Sequence, residues 1–324
     1  MKRKIVSVLM SVAMLFSMAS CAATSSGEKV TLNIAYQYGL AYAPAVICQN
    51  NNLIEKAYEK ATGKQVEVVW NQMSSGADIN TGIASGSIDV GFMGVAPAIT
   101  GISKNVGYKI FTNISGQEHG MMSNNADINS LGDLIGSSEQ VALVNTGSIQ
   151  HIILGMALDD NGYDAHALDS NIVAMKHPDG MTALESGNVA CHLTSNPYIY
   201  KERQNDSLHE LDEVKNVWSV ENSFIVGVAS EKLYSDNPEL YKALCSALSD
   251  AMDYINSDPE GAASITCEFN GNTLEDELFF IKAGNYSAKT TGILKLAQFM
   301  YKNEFIEKDF ASYSELVFDN VTGD

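Results

Sequence analysis

One pattern occurs twice in this sequence, about one hundred residues apart, and it limits the folds that the chain can adopt. The first copy, residues 83–97, contains in order the end of a helix, a Ser-Gly turn, a short apolar strand and a glycine-rich turn. The second copy, residues 184–198, follows the same order with different side chains. This repetition predicts two lobes of similar construction, whose final turns face one another across a cleft.

Each copy closes a larger unit in which strands alternate with helices. Strands are predicted at residues 30–36, 66–70 and 88–92 in the first unit and at 140–144, 172–175 and 189–193 in the second. Strands that alternate with helices indicate parallel sheets of the α/β class. Ligands of open α/β sheets bind at the loops that follow the carboxyl ends of the strands.

Two extended segments lie on either side of the second unit. Residues 111–123 and 217–230 are predicted to cross between the lobes. From residue 237 onward the pattern predicts helices, which we expect to pack on the first lobe. The expected division is a first lobe of residues 30–118 and 224–324 and a second lobe of residues 119–223.

The N-terminal sequence indicates export. A basic triplet at residues 2–4 precedes an apolar run at residues 5–18, which is shorter than the roughly 20 residues that span a bilayer. Residues 1–20 are therefore predicted to be a signal peptide. Cys21 follows Met-Ala-Ser, which resembles a bacterial lipobox and implies a lipidated cysteine with a tether at residues 21–29. We expect a protein anchored on the outer face of the cytoplasmic membrane, or a periplasmic one.

Charge narrows the set of partners. The sequence has 20 Lys and Arg against 39 Asp and Glu, a net charge of -19, which disfavours nucleic acid and anionic membrane surfaces. A small anion remains compatible if backbone N–H groups at helix N-termini bind it. Arg203 is the single arginine after the signal peptide, and its neighbours predict a solvated helix face rather than a ligand clamp.

The sequence contains no motif that requires catalysis, a metal or a cofactor. It has no Gly-x-Ser-x-Gly, P-loop or His/Cys cluster with metal-ligand spacing. His119 and His177 lie in connecting segments and are predicted to be solvated. The cysteines after Cys21 could form disulfides in an exported chain or be free buried thiols: Cys48, Cys191, Cys245 and Cys267.

Several of these features together resemble one protein class. They are the lipobox, the segment YQYG at 36–39, SGSIDVGFMGVAP, TGSIQH at 146–151, Asn-Pro-Tyr at 196–198 and Ser-Asp-Pro-Glu at 257–260. The combination resembles the nitrate/sulfonate/taurine class of ABC-transporter solute-binding proteins, which includes binders of thiamine-pyrimidine precursors. The resemblance covers nearly all of the mature chain. It implies the type II periplasmic-binding-protein fold, in which two α/β lobes are joined by two crossing strands.

The resemblance also implies a set of ligand contacts in the loops after the strands. In the first lobe they are Tyr38, Gly39, Tyr42, Ser74, Ser75, Gly94, Val95 and Ala96. In the second lobe they are Thr146, Gly147, Ser148, His151, Ser195, Asn196 and Tyr198. A helix cap is the alternative for the Thr-Gly-Ser turn, and packing is the alternative for His151. Relatives often have Trp-Asp-Pro-Tyr where this chain has Ser-Asn-Pro-Tyr, which favours a neutral or anionic ligand.

The implied function is a monomeric receptor that captures a small molecule and delivers it to an ABC permease and its ATPase. The scarcity of arginine weakens the case for a sulfonate, taurine or nitrate ligand. The tyrosines of the first loop favour an aromatic heterocycle such as a thiamine pyrimidine. Two other classes stay open at this point: an enzyme similar to a pyrimidine synthase, and a receptor that presents its ligand to a membrane sensor.

Overall fold

The computed structural model of the chain describes residues 30–324. The predicted signal peptide, Cys21 and the tether lie outside these residues. Between residues 30 and 324, no helix combines the length and the apolar character needed to cross a membrane.

The described residues form ten strands and thirteen helices. The strands are β1 (Val30–Tyr36), β2 (Val66–Gln72), β3 (Val90–Gly94), β4 (Tyr108–Ser115), β5 (His119–Ser123), β6 (Val141–Leu143), β7 (Ile172–Ala174), β8 (Cys191–Ser195), β9 (His209–Glu210) and β10 (Ile225–Ser230). The helices are α1 (Ala43–Asn51), α2 (Leu53–Thr62), α3 (Gly76–Ala84), α4 (Val95–Ser103), α5 (Leu131–Leu134), α6 (Ile149–Asp160), α7 (His177–Glu185), α8 (Tyr198–Arg203), α9 (Glu231–Asp236), α10 (Pro238–Ser257), α11 (Pro259–Asn270), α12 (Leu274–Ala283) and α13 (Ile293–Lys302). Single 3₁₀ turns occur at Leu40–Tyr42, Asp169–Asn171 and Tyr313–Glu315.

The strands make two five-stranded sheets of related topology. The first has the order β2-β1-β3-β10-β4 and the second the order β7-β6-β8-β5-β9. In each sheet the first three strands are parallel and the fourth runs antiparallel to the third. The repeated sequence therefore corresponds to β3 and β8, which occupy equivalent positions. Parallel strands with helices between them also confirm the predicted α/β class.

The predicted strands of the repeat begin two residues too early. β3 starts at Val90 and β8 at Cys191, because the preceding residues still belong to the turn that ends the helix. In the first copy, the carbonyl of Gly82 accepts hydrogen bonds from the amides of Ser87 and Ile88. The apolar Ile88 therefore reads as a strand residue in the sequence although its N–H is bonded to the helix end.

The chain crosses between the sheets twice, at residues 116–118 and 211–224. The C-terminal helices return to the first sheet, where α10 packs against α1 and α2. At this contact the Cys48 thiol donates a hydrogen bond to the carbonyl of Ala247 at 3.3 Å. All four cysteines of the described chain are free thiols.

Gly227 in the centre of β10 gives a test of this packing. A Cβ atom there would lie 2.7 Å from Phe111 Cε1 and 3.0 Å from Phe92 Cε1. We expect Gly227→Ala to lower the free energy of unfolding by about 1–3 kcal/mol, because two buried rings would have to move. Urea unfolding with an unchanged denaturant slope measures the effect. An unchanged midpoint would contradict the packing described.

Candidate ligand-binding site

A cavity lies between the two sheets, at the carboxyl ends of their parallel strands. Residues from both sheets line it, as do Phe224 and Ile225 at the second crossing. Nine of the predicted ligand contacts are brought together here: Tyr38, Gly39, Tyr42, Ser74, Gly94, Ser148, Ser195, Asn196 and Tyr198. They converge because each follows a strand that ends at the same edge of its sheet.

The other predicted contacts lie elsewhere. Ser75 caps α3, where its hydroxyl accepts a hydrogen bond from the Asp78 amide at 3.2 Å. Val95 and Ala96 are buried in the first turn of α4. Thr146, Gly147 and His151 line a second groove beside the cavity. The structure therefore separates the predicted set into a group that lines the cavity and a group that supports it.

The cavity also contains residues that sequence reasoning missed. They are Gln37, Asn145, Gln150, Lys176, His177 and Phe224, together with neighbouring apolar groups. Gln37, Asn145, Lys176 and His177 lie within three residues of the ends of β1, β6 and β7. The principle that ligands bind at the carboxyl ends of the strands would therefore have selected them. Gln150 and Phe224 carry no such signal.

The electrostatics of the cavity favour an anionic or neutral guest. Several helices begin at its wall, among them α3, α4, α6 and α7, so the positive ends of their dipoles and their first N–H groups lie there. Lys176 is the one lysine in the lining, and its ammonium lies 5.0 Å from the ring centroid of Tyr38 across the cavity. Within the described chain, no Asp or Glu lines the cavity.

His177 forms part of the cavity wall, so the prediction that it is solvated was wrong. Its ring stacks on Tyr198, with centroids 5.5 Å apart. Its Nδ1 lies 2.9 Å from Thr194 Oγ1 and its Nε2 lies 3.1 Å from Gln150 Nε2. Burial, and then the neighbouring His192, lower the pKa of His177 well below its usual range, so the ring is neutral near neutral pH. His119 is also buried rather than solvated.

The predicted solvated position of Arg203 was wrong as well. Its guanidinium donates hydrogen bonds to Glu118 Oε1 at 2.6 Å and to both carboxylate oxygens of Glu210 at 2.6 and 2.9 Å. It also lies over the ring of Tyr200. Arg203 therefore ties α8 to the first crossing and to β9, and it does not line the cavity.

A buried polar pair supports the wall behind His177. His192 Nδ1 lies 2.5 Å from Glu202 Oε1, and both side chains are fully buried. Burial raises the pKa of Glu202 to about 9 and lowers the pKa of His192 to about 3. The pair is therefore a neutral carboxylic acid that donates a hydrogen bond to a neutral imidazole. Gly180 leaves space for this ring, since a Cβ there would lie 2.6 Å from His192 Nε2.

A sequence model of the NMT1-like family matches residues 25–269, about three quarters of the chain. The chain belongs to the NMT1-like family. A protein of Brachyspira hyodysenteriae, provisionally named as an ABC transporter periplasmic binding protein, is 25% identical over 281 residues, which are 80% of this chain and 76% of that protein.

Solved structures place this NMT1-like chain in the periplasmic-binding-protein fold. The alkanesulfonate-binding protein SsuA from Xanthomonas axonopodis pv. citri, bound to MOPS, superposes with a TM-score of 0.72 at 15% identity over 92% of this chain and 100% of that one. The nitrate-binding protein NrtA from Synechocystis PCC 6803 has a TM-score of 0.68 at 14% identity over 89% and 84%. The CA3427 gene product of Candida albicans, which has the generic periplasmic binding protein fold, superposes with a TM-score of 0.71 at 12% identity over 90% of this chain and 97% of that one.

The predicted fold and the resemblance to ABC-transporter solute-binding proteins are thus confirmed. Proteins of this class bind solutes without transforming them, so the alternative of an enzyme similar to a pyrimidine synthase is set aside.

The buried pair behind the cavity wall predicts a pH effect on stability. Glu202 stays protonated when folded but ionises in the unfolded chain above its ordinary pKa of 4.5, so the unfolded state then binds fewer protons and stability falls as pH rises toward 9. Glutamine cannot ionise. We expect Glu202→Gln to become more stable relative to the wild type as pH rises from about 5 to about 8, measured by urea unfolding.

Glu260→Gln, in the exposed first turn of α11, is the control for this experiment and should show a constant difference from the wild type. A constant difference for Glu202→Gln too would mean that the buried carboxyl group is ionised in the native protein.

Proposed function

We propose that this protein is the extracytoplasmic receptor of an ABC importer and that it captures a small anion with an apolar or aromatic part, such as a sulfonate. One observation carries the proposal: four helix N-termini and the Lys176 ammonium surround a cavity whose lining, in the described chain, contains no carboxylate. The net charge of -19 makes this local arrangement significant, because anions are disfavoured over the rest of the surface.

The ligand would be held by two kinds of group. Backbone N–H groups and hydroxyls at the helix starts, among them Ser74 and Ser148, would donate hydrogen bonds to the anionic end. The rings of Tyr42 and Tyr198 would contact the apolar end. An aromatic heterocycle is the second candidate, favoured by the stacked His177 and Tyr198 rings, which offer a flat face to a planar ligand.

Capture would work by hinge closure. We assign residues 30–118 and 224–324 to one lobe and residues 119–223 to the other. This division is supported by the sheets, because all strands of one sheet come from the first set and all strands of the other sheet come from the second. Contacts cross from one set of residues to the other at the cavity. Lys176 lies over the ring of Tyr38, and the side-chain Nδ2 of Asn196 donates a hydrogen bond to the backbone carbonyl of Phe280 at 2.8 Å. A ligand that touches both lobes would shift the population toward the closed form, which the permease would recognise.

The cellular location and the oligomeric state are the remaining parts of the proposal. We infer that residues 1–20 are removed, that Cys21 is lipidated and that the mature protein acts as a monomer tethered by residues 21–29. The lipobox resemblance supports the anchor, and the receptor class supports a location outside the cytoplasm.

The ligand class is tested by calorimetry with methanesulfonate, taurine, nitrate and an aminopyrimidine. We expect a sulfonate to bind most tightly, and Lys176→Gln to weaken its binding about tenfold, equivalent to about 1.4 kcal/mol. Lys242→Gln, on the exposed surface of α10 away from the cavity, should bind as the wild type does. An aminopyrimidine that binds more tightly than every anion would favour the second candidate and refute the first.

The anchor is tested by cell fractionation. We expect Cys21→Ala to move the protein out of the membrane fraction, because the thiol that would carry the lipid is missing. Ligand affinity should not change, since the cavity residues are untouched. Equal membrane fractions for variant and wild type would contradict lipidation at Cys21.

A further inference from the structure

The groove beside the cavity contains a hydrogen-bond network whose side chains do not line the cavity itself. Asp169 lies at its centre, with Oδ1 2.8 Å from His151 Nε2 and Oδ2 2.8 Å from His166 Nδ1. Beyond the histidines, His151 Nδ1 accepts from the Gly147 amide at 2.9 Å. His166 Nε2 lies 2.7 Å from the carbonyl oxygen of Asn303. This hydrogen-bond network therefore connects Asn303, just after α13, to the Gly147 turn.

The partners determine the protonation state of both rings. His166 has an acceptor at each nitrogen, a carboxylate and a backbone carbonyl, so both bonds form together only when both nitrogens carry hydrogen and the ring is a cation. His151 accepts an N–H at Nδ1 and faces a carboxylate at Nε2, so it is the neutral tautomer with hydrogen on Nε2. Of the two histidines in the network, only His166 must be doubly protonated.

Both ends of the hydrogen-bond network lie next to elements that form the cavity wall. Gly147 has φ +82° and lies between Asn145 and Ser148, which line the cavity. At the other end, the ring of Phe305 lies 4.2 Å from His166 and 5.3 Å from His151, centroid to centroid. The helix before it, α13, packs on α4, which begins at the opposite wall of the cavity.

We propose that His166 is a proton-dependent positioning residue: its doubly protonated ring joins the segment after α13 to Asp169, which through His151 fixes the Gly147 turn at the ligand cavity. The proposal rests on the cavity being the ligand site, as argued above. His166 does not touch the ligand.

The charges around His166 define the sign of the pH effect. Asp164 and Asp169 are on its own segment, and His151 faces it from α6. Lys104, just after α4, and Glu304, just after α13, line the same groove. Burial lowers the pKa of His166, but the Asn303 carbonyl and the Asp169 carboxylate outweigh it and raise the pKa above its usual range. Only the doubly protonated ring can donate to Asp169 and to Asn303 at once. The link between the two is therefore complete at mildly acidic pH, and one of its two bonds is lost as pH rises through this raised pKa.

The first test needs no ligand. Long-range ¹H–¹⁵N spectra of the histidine side chains should show His166 protonated at both nitrogens at about pH 6 and His151 as the Nε2–H tautomer throughout. The amide resonance of Gly147 should titrate with the pKa of His166 and should stop titrating in His166→Gln. A neutral His166 at pH 6, or a Gly147 amide that does not follow it, would overturn the proposal whatever the cavity binds.

The second test links the network to the cavity, with methanesulfonate as a probe that stays anionic at every pH used. We expect wild-type affinity to fall several-fold as pH rises through the pKa of His166. His166→Gln should show the weaker affinity at all pH values, and His166→Arg, a permanent cation with several donors, should keep the stronger affinity at high pH. His209→Gln, which replaces a histidine bonded to the Ile128 carbonyl in the same lobe, should retain the wild-type profile.

Two outcomes are distinguishable in this second test. A pH profile that persists in His166→Gln would refute the coupling. If methanesulfonate does not bind at any pH, the proposed ligand class fails, and the spectra alone decide the role of His166.

Discussion

The convergence of helix N-termini on one cavity is the constraint on which the rest of the site depends. It follows from the sheets: a helix that follows a parallel strand begins at the carboxyl end of that strand, so α3, α4, α6 and α7 all start at the same place. Each start leaves N–H groups without an intrahelical partner. A cavity lined by such groups favours a guest with acceptor atoms, and a carboxylate in its wall would compete with that guest.

The ionisable side chains around the second sheet are paired with one another or neutral, so they do not oppose this field. Arg203 is paired with Glu118 and Glu210, and the protonated Glu202 donates a hydrogen bond to the neutral His192 behind the wall. A buried charge without a partner would cost several kcal/mol, so each is paired or neutral. Lys176 is the one lysine in the described cavity lining, which contains no arginine or carboxylate.

The sequence predicted the α/β class and the strands of the repeat, because periodicity and turn residues are local signals. The same local reasoning locates the strand ends, where nine of the contacts implied by the family resemblance line the cavity. It failed where a side chain has a distant partner. Arg203 reads as solvated among its polar neighbours, but Glu118 lies 85 residues away in the chain and only the tertiary structure brings the two together.

The residues of the Thr-Gly-Ser-x-x-His segment have different structural roles. Ser148 lines the cavity and caps α6 at the same time, so the two interpretations of this residue are compatible. His151 is three residues further on, where the helix turns its side chain away from the cavity and toward the Gly147 amide. Gly147 is in the left-handed conformation that favours glycine, and a turn of this kind needs a partner for its N–H group. The spacing of glycine, serine and histidine is thus explained by the hydrogen bonds of the loop and the helix cap, and of the three residues only the serine lines the cavity.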